Sequence, residues 1–308
     1  MPHFLDYERV NHHKSMLADR KRTESFRKAI RKVVKKGDVV ADLGAGTGIL
    51  SFFAAQAGAS KVYAIERTGM ANVAKRLAKK NGFEKIEVIS RDSANVNLPE
   101  KCDVIVSECI GYFVLQENMI SDVIDFRKRN LKDGGRMIPK KVSLYLAPVS
   151  STAYEEVKFW ERVYGMDFDS MKDIAANSSY SKEIKKFELL AEPKMIKRVD
   201  MHKDRNMSLN ETATFIAQKS GLLNGLCGYF STELCNDVEL SNTPGSMTHW
   251  KQQYFPLKNP INVLTGYNIE TNIHAIMQKA MIDWEWTVET DGCISYQSTT
   301  KGIRLKEQ

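Results

Sequence analysis

The fold is decided by the stretch Val39-Val40-Ala41-Asp42-Leu43-Gly44-Ala45-Gly46-Thr47-Gly48-Ile49-Leu50. An apolar run typical of a buried strand leads into a glycine-rich turn and then into a helix, so the backbone can approach a ligand closely. A dinucleotide-binding turn has the pattern G-x-G-x-x-G, with a helix N-terminus facing a pyrophosphate. Here the third glycine comes one residue early. This spacing favours a cofactor without phosphate groups, S-adenosylmethionine, and a structural turn in another α/β protein is the alternative.

The chain around this stretch alternates between strand-like and helical patterns. The predicted strands are Asp38–Gly44, Lys61–Glu66, Lys85–Ser90, Cys102–Glu108 and Arg136–Val149, and the predicted helices between them include Ile49–Gln56, Ala71–Lys80 and Glu117–Asn130. Such alternation predicts a parallel sheet covered by helices on both faces.

The pattern changes after Pro148. Residues 151–175 have a helical pattern with large apolar side chains, and short strand-like runs with turn signals follow from about residue 195. One of them is a hairpin signature, in which Asp291-Gly292 joins Trp284–Glu289 to Cys293–Gln297. The second half is therefore predicted to be a β-rich domain with a helical insertion at its start.

Polar residues follow the first three predicted strands and form a candidate cofactor site. Asp42 precedes the glycine turn and is expected to interact with the amino group of S-adenosylmethionine. Glu66 ends the second strand, where a carboxylate can accept hydrogen bonds from both ribose hydroxyls. Asp92 and Ser93 follow the third strand and are candidates for lining the adenine. The five cysteines include no CxxC pair, so we expect no disulfide framework and no metal site.

Two glutamates bracket the loop after the fourth strand. Glu108 and Glu117 lie at the carboxyl end of the predicted sheet, where open α/β sheets bind ligands. A pair of exposed glutamates is usually only solvated surface. The residues between these two are mostly apolar, however, so solvation alone explains the pair poorly. The loop is therefore the candidate site of the chemistry.

At this loop the chain resembles the protein arginine methyltransferase family, whose double-glutamate loop has the same form and spacing. Three further matches in the family's order extend the resemblance over nearly the whole chain. They are residues 4–7 with 13–23, which resemble a lid over substrate and cofactor, residues 159–167, which resemble the start of a dimerisation arm, and Thr248-His249-Trp250-Lys251-Gln252, which resembles the family's THW loop.

The resemblance implies a Rossmann-like class I methyltransferase domain followed by a β-barrel-like domain with a helical dimerisation arm. Residues 1–36 would form the helical lid, residues 37–147 the cofactor-binding domain and residues 148–308 the barrel-like domain, with the arm at about 151–190. The implied reaction is methyl transfer from S-adenosylmethionine to a guanidinium nitrogen of arginine in a protein or peptide. The implied assembly is a homodimer.

The resemblance also assigns roles to individual residues. Glu108 and Glu117 would clamp the guanidinium, and His249 would pair with Asp19 to hold the lid on the barrel, so these four are the predicted catalytic residues. The predicted cofactor-binding residues are His13, Arg22 (through the cofactor's carboxylate), Asp42, Gly44, Gly46, Glu66, Asp92, Ser93 and Met119. The predicted substrate-binding residues are Tyr7, Met16 and Trp250, of which Met16 resembles the branch that makes asymmetric dimethylarginine.

Several alternatives stay open at this point. The acceptor is alternatively free arginine or a small guanidino metabolite, and the chain is alternatively a catalytically silent partner subunit. The joint presence of both glutamates, the glycine turn and His249 argues against silence. His13 is alternatively a structural histidine, His249 mainly a latch between domains, and Met16 and Tyr7 core residues.

The sequence departs from the family's pattern at two positions near the predicted site. Cys109 stands where many members have tryptophan, which implies a smaller or differently shaped pocket beside Glu108. Ala94 stands where a family acid often meets adenine, which puts that contact in doubt.

The net charge of +7 is concentrated at the start of the chain. Residues 1–40 carry eleven Lys and Arg against five Asp and Glu, and the cations from Arg20 to Lys36 are spaced like one basic helix. Without interleaved aromatic residues, this pattern favours a solvated helix face over a nucleic-acid surface. A basic enzyme repels cationic arginine-rich tails at long range. We therefore expect the target to be one arginine in a neutral or acidic context, or a small guanidino compound.

The sequence also bears on location. It has no apolar run of the ~20 residues needed to span a bilayer and no signal-peptide pattern at Met1-Pro2-His3-Phe4-Leu5. We therefore expect a cytoplasmic protein without membrane contacts, or a nuclear one if the source is eukaryotic.

Overall fold

The computed structural model describes residues 9–108, 110–111, 113–115, 119–205, 207–246, 248–277 and 282–303, with the side chains of Met119 and Ile303 left out. The predicted site residues Tyr7 and Glu117, and the side chain of Met119, therefore lie outside the described residues. The helices are α1 (Val10–Ala18), α2 (Arg20–Val33), α3 (Ile49–Gln56), α4 (Met70–Lys80), α5 (Met119–Asn130), α6 (Glu155–Lys158), α7 (Asp169–Ala176) and α8 (Thr299–Ile303). The strands are β1 (Val39–Leu43), β2 (Lys61–Ile65), β3 (Ile86–Ile89), β4 (Cys102–Ser107), β5 (Leu131–Ile138), β6 (Lys141–Val149), β7 (Arg162–Val163), β8 (Met166–Asp167), β9 (Tyr180–Lys182), β10 (Lys194–Asp200), β11 (Leu209–Ile216), β12 (Gly221–Cys235), β13 (Val238–Ser241), β14 (Gln252–Val263), β15 (Asn268–Met277), β16 (Ile282–Thr290) and β17 (Cys293–Ser298).

The first half of the chain forms a parallel sheet in the order β3-β2-β1-β4-β5. All five residues of β1 are buried, as expected for a central strand covered on both faces. The chain moves outward from β1 to β3 and then returns to the other side of β1 with β4 and β5. The order in which successive strands are added to the sheet therefore reverses between β1 and β4. Ligands bind at such a switch point in open α/β sheets. The predicted Rossmann-like fold is confirmed.

Four of the five predicted strands match β1 to β4 to within one residue at each end. The fifth, predicted as Arg136–Val149, is wrong, because it is two strands in two different sheets. β5 ends at Ile138 in the parallel sheet, and β6 begins at Lys141 in an antiparallel one. Pro139 lies at the break and has no N–H to donate to a strand ladder. We propose that the domain boundary lies near this proline, rather than at residue 148 as the sequence suggested.

The second half of the chain contains two antiparallel sheets that form the β-barrel-like domain. One has the order β10-β6-β12-β14-β9, with β13 beside β12, and the other has the order β11-β15-β16-β17. The predicted hairpin is confirmed as β16 and β17. Asp291 and Gly292 have φ angles of 47° and 74°, so both central residues are left-handed, as a tight two-residue hairpin turn requires.

The segment predicted to be helical, residues 151–175, is only partly so. It contains α6 and the start of α7, but β7 and β8 form a small antiparallel pair between them. Tyr164 and Gly165, which join these strands, have φ angles of 51° and 80°. Two consecutive residues with left-handed φ angles cannot continue a right-handed helix. The helical pattern of the sequence therefore did not predict the turn at Tyr164-Gly165.

The two halves share one hydrophobic core, and Phe113 belongs to it. This residue belongs to the loop that follows Glu108, and its side chain is fully buried. Its ring contacts Phe255 and Trp284 of the barrel, at centroid distances of 5.8 and 5.5 Å. A Cβ on Gly228 of β12 would come within 2.9 Å of the same ring, so glycine makes room for it. The barrel therefore fixes the middle of the double-glutamate loop.

We expect Phe113→Ala to lower the free energy of unfolding by ~3–5 kcal/mol, because it leaves a large cavity between the two halves of the core. Chemical denaturation followed by circular dichroism measures this loss. Phe187→Ala is the matched control, because that ring is 77% exposed and its removal should change stability by less than ~0.5 kcal/mol. Equal effects of the two substitutions would show that Phe113 is not part of the core.

Candidate active site

Four of the five strands of the parallel sheet deliver polar residues to one cavity. Gly44 follows β1, Glu66 follows β2, Asp92 lies three residues after β3, and Glu108 follows β4; all four line the cavity. Residues of α1, of the start of α2 and of the loop before β14 complete its wall. The cavity therefore lies at the switch point of the sheet and is closed by the N-terminal helices and by the barrel.

The glycine-rich turn is fixed by its backbone conformation and by a histidine. Gly44, Gly46 and Gly48 have φ angles of 70°, 52° and 87°, which are left-handed and favour glycine. The Gly44 and Ala45 N–H groups donate to the carbonyl of Ile65 over 2.9 and 3.0 Å. A Cβ on Gly46 would come within 3.2 Å of His13 Cε1. His13 is buried and packs directly against the turn, so it serves both the lid and the cofactor site.

Glu66 is held in place by three hydrogen bonds. Its Oε2 accepts from the Gly46 N–H over 2.8 Å, and its Oε1 accepts from the N–H and hydroxyl of Thr68 over 2.8 and 2.7 Å. A carboxylate has about four acceptor positions. Glu66 therefore orients the glycine turn and keeps acceptor capacity towards the cavity. The sequence reading missed Thr68, although a threonine two residues after an acid is a recognisable sign of such a bond.

Asp42 lies beneath the cavity rather than in its wall. Its side chain is 1% exposed, and its Oδ2 accepts a hydrogen bond from the Ser51 hydroxyl over 2.6 Å. Its Oδ1 is buried and has no hydrogen-bond partner among the described residues. Burial raises the pKa of Asp42 to about 6, although the bond from Ser51 opposes this. Asp42 is thus not among the residues that line the cavity, where the sequence had suggested a direct contact with the cofactor.

Asp92 and Ser93 both line the cavity, and their contact with adenine stays a prediction. Asp92 Oδ1 accepts from the Ala94 N–H over 3.0 Å, and Oδ2 accepts from the Arg67 guanidinium over 3.3 Å. The sequence reading missed Asp122 of α5, which also lines the cavity. Burial and the negative charge of Asp92 raise the pKa of Asp122. Its position in an amphipathic helix gave no signal that it faces a ligand site.

Asp19 joins the lid to the barrel, as predicted for its pairing with His249. Its Oδ1 accepts from the Arg22 N–H over 2.9 Å and so caps α2. Its Oδ2 accepts from the His249 N–H over 2.8 Å and lies 2.9 Å from His249 Nδ1. Burial opposes ionisation of Asp19, but these bonds outweigh it and hold its pKa below the ordinary value. Burial lowers the pKa of His249, although the hydrogen bond and the charge of Asp19 oppose this.

Arg22 and Glu108 form a buried ion pair inside the cavity. The Arg22 guanidinium donates to Glu108 Oε2, and each side chain is only 6% exposed. Arg22 also donates to the carbonyl of Met16 over 3.3 Å and lies 6.0 Å from the ring centroid of Trp250. The Trp250 indole donates to the carbonyl of Ile110 over 2.7 Å. The sequence assigned Arg22 to the cofactor's carboxylate and Glu108 to the substrate's guanidinium, whereas in the structure the two residues bind each other.

Each half of the chain matches a family model of methyltransferases. Residues 140–300 match the family model of the arginine methyltransferase oligomerization subdomain, and residues 22–139 match that of the ribosomal protein L11 methyltransferase. The sequence is 37% identical over 279 residues to a probable protein arginine N-methyltransferase 1.2 of Arabidopsis thaliana, covering 87% of this chain and 76% of the relative. It is 35% identical over 290 residues to protein arginine N-methyltransferase 6 of Danio rerio, covering 88% and 83%.

The structure superposes on the Trypanosoma brucei PRMT1 enzyme–prozyme heterotetrameric complex with AdoHcy with a TM-score of 0.88 at 28% identity, covering 95% of this chain and 98% of the other. The fold and the site thus define a methyltransferase with a Rossmann-like domain and a β-barrel domain. The chain belongs to the protein arginine methyltransferase family. In the described part of the chain, no helix is long and apolar enough to cross a membrane.

The raised pKa of Asp42 predicts how a neutral replacement alters stability with pH. Because its pKa rises from 3.8 in the unfolded chain to about 6, its contribution to stability is complete below pH 3.8 and is lost as the pH rises through 6. Asp42→Asn stays neutral and escapes this loss. Between pH 4 and pH 8, we expect its unfolding free energy to improve relative to the parent by on the order of 1–3 kcal/mol.

Chemical denaturation at a series of pH values measures this difference. Asp19→Asn is the control, because the pKa of Asp19 is lowered and its effect should change with pH only below about 3.8. A stability difference for Asp42→Asn that stays flat from pH 4 to pH 8 would contradict the assignment of Asp42 as a buried, destabilised carboxylate.

Proposed function

We infer that this chain transfers the methyl group of S-adenosylmethionine to a guanidinium nitrogen of arginine in a protein. The observation that carries this inference is the Glu108 carboxylate, which lies at the switch point of the sheet and already binds a guanidinium, that of Arg22. The site thus shows the recognition that an arginine substrate requires. Membership of the protein arginine methyltransferase family supports the same reaction.

The polar groups of the cavity fit the proposed cofactor. Glu66 faces the cavity with acceptor capacity for the ribose hydroxyls, and the turn at Gly44 and Gly46 allows close approach of the backbone. Arg22 supplies a positive charge for the cofactor's carboxylate. His13 packs on the turn from the lid, and the loop with Asp92 and Ser93 lies at the end where the adenine would lie. S-adenosylmethionine supplies an electrophilic methyl group on a sulfonium centre.

Asp42 and Met119 were also predicted to bind the cofactor. Asp42 lies under the turn and is bonded to α3 through Ser51, so we assign it the positioning of the turn and the following helix. Met119 begins α5, beside the loop of the two glutamates, and its cofactor contact stays a prediction.

The two glutamates address the poor reactivity of the acceptor. An arginine guanidinium stays protonated at neutral pH, with a pKa above ~12, and its charge is delocalised over three nitrogens, so it is a weak nucleophile. Glu108 and Glu117 would hold its planar fork by charge-assisted hydrogen bonds. If the charge is drawn towards the carboxylates, the nitrogen that faces the methyl group keeps more lone-pair density. The methyl–sulfur bond breaks as the methyl–nitrogen bond forms, S-adenosylhomocysteine leaves, and the guanidinium loses one proton during or after the transfer. The remaining contribution of the site is in-line positioning.

The Arg22–Glu108 pair brings together the cation proposed for the cofactor's carboxylate and the anion proposed for the substrate's guanidinium. When the cofactor's carboxylate and the substrate's guanidinium enter, each residue of the pair gains a partner of opposite charge. Trp250 and Met16 would bound the space beside Glu108, and Tyr7 would close it from the N-terminal side. His249 is hydrogen-bonded to Asp19 through both its backbone N–H and its ring, so we assign this pair to holding the lid closed.

We expect Glu108→Gln or Glu117→Gln to lower kcat by at least ~10²-fold, because each removes a charge that positions the nucleophile. Turnover of a single-arginine peptide with labelled S-adenosylmethionine measures this effect. Affinity for the cofactor, measured by calorimetry, should change far less. Glu239→Gln, on an exposed position of β13, is the matched control. Full activity of both active-site variants would refute the proposed reaction, and loss of cofactor binding in Glu117→Gln would move that residue to the cofactor site.

We further propose that the chain forms a two-fold symmetric dimer through the arm around α6 and α7. Phe159, Tyr164 and Met166 of this arm are 59%, 95% and 56% exposed, which is more apolar surface than an isolated insertion should present to water. Residues 140–300 also match a family model described as an oligomerization subdomain. The arm of one subunit would then pack on the Rossmann-like domain of the other.

Light scattering at micromolar concentration in the presence of cofactor should report a mass of twice 35.0 kDa. Phe159→Glu combined with Met166→Glu should yield a monomer, because two charges would be buried in the interface. Ile216→Glu combined with Ile294→Glu, at exposed positions on the barrel, is the control and should leave the mass unchanged. A monomeric parent protein would count decisively against this assembly.

A further inference from the structure

The outer face of α2 carries a row of cations, on a helix whose first turn reaches the active site. Arg22 in this turn lines the cavity, and Asp19 caps the helix through the Arg22 N–H. The helix has 14 residues, which at 1.5 Å per residue makes it ~21 Å long. Its exposed cations, with those just after its end, are Arg20, Lys21, Lys28, Arg31, Lys32, Lys35 and Lys36.

These cations have few acidic partners. Lys32 lies 3.7 Å from Asp237, and Glu24 on the same helix lies 3.4 Å from Arg27. The other six cations of the row form no ion pair with any described residue. Lys28 lies three and four residues from Arg31 and Lys32, a spacing at which like charges repel on a helix. The row is therefore an excess of positive charge that the chain itself does not neutralise.

The row is not needed to hold the helix in place. Phe26, Ala29 and Ile30 bury the inner face of α2 completely. The first turn contains no acid, although the N-terminal end of a helix dipole favours anions and disfavours cations such as Arg20 and Lys21. These two residues thus stand where they weaken the helix locally. A binding role accounts for such placement, and local stability does not.

We propose that this row binds acidic residues that flank the target arginine in the substrate protein. The inference rests on the proposed function and specifies its substrate class. An arginine bound at Glu108 would lie near Arg22, and a chain that leaves the cavity past the start of α2 would meet Arg20 and Lys21, the two residues before Arg22. At ~3.3 Å per residue, an extended chain covers the ~21 Å of α2 in ~6 residues. The recognised acids should therefore lie about three to eight residues from the arginine.

Three peptides of equal length with a single arginine test this proposal. They carry Glu, Gln or Lys at several positions three to eight residues from the arginine. At ~20 mM salt, we expect kcat/KM for the acidic peptide to exceed that for the neutral one at least ~10-fold, mostly through KM, and the lysine peptide to be worst. At ~200 mM salt, the differences should shrink, because the contacts are exposed and screened.

A variant with Lys21, Lys28, Arg31 and Lys35 all changed to Gln should lose the preference for the acidic peptide and keep its activity on the neutral one. The matched control changes Lys75, Arg76, Lys79 and Lys80 of α4 to Gln, which removes the same charge from another exposed helix face. The control should keep the preference. Equal loss in both variants would overturn the proposal in favour of a general effect of net charge.

Peptide binding measured by fluorescence anisotropy separates this proposal from the proposed function. If the acidic peptide binds more tightly than the neutral one but no peptide is methylated, the proposed reaction fails and the row keeps its role. If the lysine peptide is preferred at low salt, or if the acidic peptide has no advantage while a single-stranded RNA oligonucleotide binds the row, the proposal is overturned.

Discussion

Asp19 connects the two N-terminal helices to a loop of the barrel that lies 230 residues away in the sequence. It ends α1, caps α2 through the Arg22 N–H, and accepts two hydrogen bonds from His249 of the barrel. Its side chain is only 3% exposed, so an unmatched charge there would be costly, and every one of these bonds contributes to keeping it ionised. Since Arg22 follows this cap by three residues, the position of its guanidinium in the cavity depends on the same contact. The geometry of the lid is thus set by one buried anion.

The cavity itself is a balance of opposite charges. Glu66, Asp92, Glu108 and Asp122 line it with carboxyl groups, whereas Arg22 and Arg67 supply positive charge close to Glu108 and Asp92. Buried carboxylates are stable only when cations or hydrogen-bond donors match them. A cationic acceptor such as a guanidinium, and a cofactor with a sulfonium and a carboxylate, would each find a matching group in this set. Within the chain, Arg22 and Glu108 match each other's charge.

The sequence predicted the parallel sheet well, because its strands are short apolar runs that end at glycines or acids. It also predicted the Asp19–His249 contact, which only the resemblance to a family could suggest across 230 residues. It failed at Pro139, where the apolar residues before the proline and those from Val142 onward made two strands look like one. The pairing of Arg22 with Glu108, the burial of Asp42 and the inward position of Asp122 depend on how the lid, the sheet and α5 meet. Contacts between distant elements leave no local pattern, so the sequence alone had no means of showing them.

Helix α2 combines two electrostatic roles that would conflict if they shared one face. Arg22 and Phe26 lie four residues apart and share the inner face, where Arg22 is screened from water and interacts strongly with Glu108 over a short distance. Arg20, Lys21, Lys28 and Arg31 lie on the outer face, where water and salt reduce their influence to within about 8 Å at physiological ionic strength. Because an α-helix has 3.6 residues per turn, these two sets point to opposite sides of α2 although they are close in the sequence. A net charge of +7 is therefore compatible with a cavity lined by carboxyl groups, because the excess lies on a surface that the cavity does not face.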